Sequence, residues 1–199
     1  MLSQYKPAIE KKVTQFAGNI PLSPNTVTLL GIIPSLLFVY FLHAGNYPAA
    51  LFVYIGNFLD FIDGAIARSQ GKTSKFGGFL DSVVDRGVDC ILISAFGFAG
   101  IVRWEIIIPL LIVSFLISYA RSRGELASGG TVIFNVGIVE RTERLIAVYI
   151  GLLLWLAVPG TSMWTAWKLN VAEVIFAILL VFSAYTLWQR MRYAYEKLG

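Results

Sequence analysis

Charge is scarce in this chain and cysteine nearly absent. Of 199 residues, 14% are charged and 57% hydrophobic, a balance too apolar for an ordinary soluble domain and in keeping with a membrane protein. The one cysteine, Cys90, excludes an internal disulfide, and its setting in an apolar run predicts a buried thiol. The one histidine, His43, falls in the turn HAGNYP, where solvation or hydrogen bonding accounts for it without metal ligation. No internal repeat, low-complexity tract or domain linker breaks the sequence, so a single domain over 1–199 is expected. No basic stripe with interleaved aromatics on a soluble surface accompanies the net charge of +4, which removes nucleic acid as a partner. The start, MLSQYKPAIEKK, is polar and does not read as a signal peptide, so the protein is expected to stay in the membrane that receives it.

What the chain has instead is long apolar runs. Spans are predicted over about 26–42, 49–69, 77–102, 105–126, 140–158 and 169–193, each near the ~20 residues needed to cross a bilayer. Ahead of them, within 1–18, Tyr5, Ile9, Val13 and Phe16 recur at helical spacing opposite Lys6, Glu10, Lys11 and Lys12, the pattern of an amphipathic helix lying on the membrane. Pro24 is well placed to start the first span. Between the fourth and fifth spans, ASGGTVIFNVGIV is glycine-rich and moderately apolar and reads as a loop at the interface. Trp155, Trp164, Trp167, Tyr185, Trp188, Tyr193 and Tyr195 cluster toward span ends, as interface anchors do. Of the 16 lysines and arginines, all but Arg103 and Lys168 fall on one side of this arrangement. The positive-inside rule therefore places both termini in the cytoplasm. The expected class is an all-α integral membrane protein with six transmembrane helices and an interfacial N-terminal helix, multi-pass in the cell membrane.

The informative stretch is DFIDGAIARSQGKTSKFGGFLDSVVD, from Asp60 to Asp85. Asp60 and Asp63 are three apart and Asp81 and Asp85 four apart, so each pair occupies one helix face. If one helix leaves the membrane near Arg68 and the next re-enters near Gly77, Asp60 and Asp85 each lie roughly 12 Å deep at about 1.5 Å per residue. Carboxylates at that depth are costly and mark function. Four together would repel one another or take up protons unless hard divalent cations sit among them, which predicts a two-metal site.

The set Asp60, Asp63, Gly64, Ala67, Arg68, Gly77, Asp81 and Asp85, at these spacings, resembles the signature of the CDP-alcohol phosphotransferases, integral membrane enzymes that build phospholipid head groups. The resemblance implies displacement of CMP from a CDP-activated partner by an alcohol, with Mg2+ or Mn2+ as cofactor. It implies Asp60, Asp63, Asp81 and Asp85 as metal ligands and Asp85 also as the base that accepts the alcohol proton. Gly64, Ala67, Arg68 and Gly77 would meet the CDP-lipid, the small residues by leaving room and Arg68 by pairing with a phosphate oxygen. The plainer reading, small residues for helix packing and Arg68 as an interface anchor, stands beside this one. Asp89 continues the face as a structural partner for an arginine, and Arg86 reads as an ion-pair or loop contact. A homodimer is expected by the same resemblance.

The later arginines bear on the alcohol. SYARSRGE followed by GIVERTERL resembles the phosphatidylinositol phosphate synthases of actinobacteria and the archaetidylinositol phosphate synthases of archaea. That resemblance implies a basic pocket for the phosphate of inositol phosphate made by Arg121, Arg123, Arg141 and Arg190, with CDP-diacylglycerol or CDP-archaeol as donor. Glycerol phosphate would also want cations, whereas serine would need fewer. Cations also flank cytoplasmic span ends for topological reasons alone. A cation transporter would want polar residues continuing to the far side, yet LFVYIGNFL precedes Asp60 and CILISAFGFAG follows Asp89.

Overall fold

The computed structural model of the chain describes residues 23–58, 73–158 and 169–199, and every regular element among them is helical. The predicted surface helix within 1–18, the later part of the second span with Asp60, Asp63, Gly64, Ala67 and Arg68, and the aromatic pair Trp164 and Trp167 lie outside the described residues. The chain divides into two units, Met1–Leu92 and Ile93–Gly199.

In the first unit, α1 (Pro24–Leu30) and α2 (Ile32–His43) form one stretch interrupted only at Gly31. Ser23 caps it by accepting from the Thr26 N–H at 3.2 Å, and Pro24 follows in the first turn, where a missing N–H costs nothing. The interruption lies three residues before Pro34, which has no N–H to offer the Leu30 carbonyl. The 20 residues Pro24–His43 are long and apolar enough to cross a membrane, and His43 ends α2, exposed. Next, α3 (Tyr47–Tyr54) begins ahead of the expected Ala49, because the Asn46 side chain caps it and Pro48 occupies its first turn. It tightens into a 3-10 turn at Ile55–Phe58. α2 packs on α3, with the fully buried rings of Phe38 and Tyr54 edge to face and 5.0 Å between centroids.

The long helix α4 (Lys75–Phe98) carries the second aspartate pair and runs past Leu92 into the second unit. Lys75, Asp81, Asp85, Arg86 and Asp89 make it too charged to pass as a span on composition. Cys90 is exposed on α4, which corrects the expectation of a buried thiol. It lies on the side of α4 that bears the exposed Phe79 and Val83. In a membrane protein an apolar setting marks the lipid-facing side as readily as the core, so the run around Cys90 did not specify burial.

The second unit is built on α7 (Val171–Leu198), against which both α5 (Trp104–Ala127) and α6 (Arg141–Ala157) pack. α5 and α7 are each long and apolar enough to cross a membrane, whereas α6 has only 17 residues. The helix directions follow from polar contacts. Arg103, just before α5, donates from Nε to the Glu173 carboxylate of α7 at 2.7 Å, and Glu173 also accepts from the Arg103 and Asn170 N–H groups. Seventeen residues along α7, Arg190 donates to the carbonyl of Ile117 on α5 at 2.7 Å, so α5 and α7 run parallel. α6 runs the other way, since Glu140 at its start approaches Arg190 and Gly151 further on lies against Phe176. One end of this unit therefore bears Arg103, and the other bears Arg121, Arg123, Arg141, Arg144, Arg190 and Arg192.

Candidate functional site

The acidic face belongs to the first unit. α4 starts where the Ser74 hydroxyl accepts the Gly77 N–H at 2.9 Å, an N-cap bond. A Cβ on Gly77 would stand 3.1 Å from Ser74 Oγ and 3.3 Å from Asn25 Oδ1, so the start of α1 lies against the motif glycine. Asp81 and Asp85 follow one turn apart, both half-buried, on the side of α4 that continues into the buried Val88, Asp89 and Leu92. Arg86 pairs with Asp85, with Nη1 and Oδ2 3.4 Å apart. Among the described residues no group of three metal-ligating side chains occurs, and Asp60 and Asp63 lie outside them. The two carboxylates that are described fit a hard divalent cation: they are oxygen donors of like charge, partly withdrawn from water, on one face.

The basic end belongs to the second unit. Arg121, near the end of α5, donates from Nε to Glu125 one turn on at 3.0 Å. Arg190 is 4% exposed. Its Nε donates to the Val136 carbonyl and its Nη1 to the Ile117 carbonyl, both at 2.7 Å, and its Nη2 lies 3.9 Å from Glu140 Oε1. Arg141, half-buried, opens α6, and Arg144 is buried one turn later on the same side. Arg123, two positions past Arg121 and so about 200° round the helix, is exposed. The fold thus places Arg121, Arg141, Arg144 and Arg190 at one end of the second unit, on three helices, as the convergence of these arginines in the sequence leads one to expect.

The interfacial loop expected over 127–139 is, at 128–140, an irregular strap fastened along its length. Phe134 is fully buried, edge-on to Tyr193, and lies so close to Gly124 that a Cβ there would come within 2.5 Å of its ring. Glu125 accepts the Phe134 N–H at 3.3 Å with the same oxygen that holds Arg121. Thr186 of α7, fully buried, accepts from the Ile138 and Val139 N–H groups at 3.2 and 3.0 Å. Two residues later the chain enters α6 at Arg141. Glu125 was open to detection as an i,i+4 partner of Arg121, whereas Thr186 left no local signal.

A family model described as CDP-alcohol phosphatidyltransferase matches residues 21–188. The archaetidylinositol phosphate synthase of Pyrococcus horikoshii is 39% identical over 154 residues, covering 75% of this chain and 81% of the relative. That of Methanothermobacter thermautotrophicus is 32% identical over 202 residues, covering 100% of this chain and 96% of the relative. Among solved structures, the phosphatidylinositol phosphate synthase of Mycobacterium tuberculosis in complex with manganese and citrate matches with a TM-score of 0.76 at 26% identity, over 96% of this chain and 90% of that one. The same enzyme with CDP-DAG bound shares the fold at a TM-score of 0.76 and 24% identity, over 96% of each chain.

Proposed function

The chain belongs to the CDP-alcohol phosphatidyltransferase family, and from that premise we propose that it transfers the phosphatidyl-type group of a CDP-lipid to a hydroxyl of inositol phosphate, releasing CMP. The observation that carries the acceptor is that three helices end or begin with Arg121, Arg141, Arg144 and Arg190 at one end of the second unit, where Arg190 bonds the Ile117 carbonyl and approaches Glu140, in a chain whose relatives are named for making inositol phosphate lipids. A phosphate dianion is the ligand such a group of guanidiniums suits best.

The reaction asks a hydroxyl to attack a diester phosphorus that already carries negative charge, so the site must neutralise that charge and sharpen the nucleophile. Asp85 accepts the proton of the attacking hydroxyl. Arg86 beside it restrains the carboxylate. Gly64, Ala67 and Gly77 leave room for the CDP-lipid, and Arg68 pairs with its phosphates. Mg2+ or Mn2+, as two ions held by Asp60, Asp63, Asp81 and Asp85, would supply the charge that offsets the diphosphate and the departing CMP.

On the acceptor side Arg121 and Arg141 hold the phosphate of inositol phosphate. Arg123 adds charge at the rim, and Arg190 joins through Nη2, its other two nitrogens being committed to carbonyls. The donor is CDP-diacylglycerol or CDP-archaeol. Six spans with both termini in the cytoplasm agree with the grouping of six arginines at one end of the second unit. The test is one assay: purified protein and a CDP-lipid, with inositol phosphate, glycerol phosphate, serine and free inositol offered separately and CMP measured. CMP released with inositol phosphate alone is expected. Release with glycerol phosphate in its place would replace the acceptor and keep the reaction class.

A further inference from the structure

Arg141 is the first residue of α6, so the direction in which it enters the basic end is set by the backbone just before it. That backbone is unusual. Gly137 has φ 140, a conformation that residues with a side chain rarely adopt, and a Cβ there would collide with Thr186 Cγ2. The next two N–H groups, of Ile138 and Val139, both end on the Thr186 hydroxyl oxygen. Thr186 lies 47 residues away from Val139 in sequence and is fully buried in the middle of α7. One turn further along the same helix, Arg190 holds the Val136 carbonyl. Two successive turns of α7 therefore fix the donors and the acceptor of the four residues leading toward α6.

A helix-interior threonine commonly returns its hydroxyl to a carbonyl of its own helix. Here the hydroxyl oxygen accepts two N–H groups of the strap, and the methyl group presses on Gly137. An N–H group left without a partner in a buried setting costs more than an ordinary hydrogen bond contributes, so Thr186 selects one path for this backbone over its alternatives.

We propose that Thr186 is a positioning residue for the acceptor: its hydroxyl sets the path of Gly137–Glu140 and thereby aims Arg141 at the phosphate of inositol phosphate. This rests on the acceptor reading above. Thr186→Val keeps the shape and removes the paired acceptor, whereas Thr186→Ser keeps the hydroxyl and removes the methyl group. In the full chain reconstituted in vesicles, Thr186→Val is expected to raise the apparent KM for inositol phosphate about tenfold, the effect of one lost buried contact of about 1.4 kcal/mol. The KM for CDP-diacylglycerol should stay within about twofold. Hydrogen exchange at the Ile138 and Val139 amides should quicken, and Thr186→Ser should restore both amide protection and the KM.

An equal rise in both KM values, or released amides with an unchanged KM for inositol phosphate, would overturn the proposal. If Thr186→Val does not fold, Thr186→Ser carries the test against Thr186→Ala, which removes hydroxyl and methyl together. The selective rise must then appear in the alanine variant and be absent from the serine one. Wild-type protein that uses glycerol phosphate but not inositol phosphate would sink the acceptor reading separately, and the Thr186 variants would then be measured with glycerol phosphate by the same criteria.

Discussion

The acidic face of α4 and the arginine end of the second unit are both charged sites in an apolar chain, and they are assembled in opposite ways. Asp81 and Asp85 stand together because they are four residues apart on one helix, and nothing beyond helix geometry is needed to put them there. Arg121, Arg144 and Arg190 come from three helices whose shared end is fastened by tertiary contacts: a strap, two backbone carbonyls held by one guanidinium, and a threonine that takes two N–H groups. A site built on one helix keeps its spacing while the helix lasts. One built across helices depends on each fastening, and its members can be displaced one at a time.

That difference orders the expected effects. Removing divalent cations with a chelator should abolish CMP release and leave the fold intact, because Asp81 and Asp85 are placed by α4 and not by an ion. Activity that survives exhaustive chelation would break the metal reading. Asp85→Asn should cost about a thousandfold in turnover, within the range of a lost general base, while CDP-lipid binding persists. Near-normal turnover in folded protein would remove Asp85 from that role. Arg141→Ala should raise the KM for inositol phosphate by about tenfold to a hundredfold, the worth of a charge-assisted contact of about 1.5–3 kcal/mol. A comparable loss of nucleotide affinity would count against a separate acceptor pocket.

The same contrast explains what could be read from the sequence. The spacing of Asp81 and Asp85, the apolar stretches of the first, fourth and sixth spans and the start at Pro24 are local patterns, and helices stand close to where periodicity places them. The start of α4 moved from the expected Gly77 to Lys75 because Ser74 caps it, a detail of side-chain chemistry that hydropathy does not see. The partners of the strap were illegible. Thr186 and Val139 are 47 residues apart, Arg190 and Val136 are 54 apart, and no period connects them. Glu125 is legible in the sequence as an i,i+4 partner of Arg121, and the two pair at 3.0 Å. Arg190 is the sharpest case. Its charge was visible from the start, yet two of its three nitrogens serve the protein's own backbone, which only the packing reveals.

The smallest expected effect lies at the opposite end of the second unit. Glu173 is 5% exposed and ties the start of α5 to the start of α7 through Arg103. Seventeen residues of α7 separate it from Arg190, about 25 Å at 1.5 Å per residue. Its hydrogen bond, and then its charge, hold the Arg103 guanidinium above the ordinary value. A raised folded-state value means that this contribution is fully present below the unfolded one and is lost only as pH rises through the folded one, far above neutrality. Glu173→Gln should therefore lower Tm by a few degrees, by the same amount at any pH between about 6 and 9, and leave both KM values within about twofold. A rise in the KM for inositol phosphate comparable to that of Arg141→Ala would mean that the two ends of the unit are coupled. The arginine end would then owe its geometry to the whole bundle and not to the strap and α7 alone.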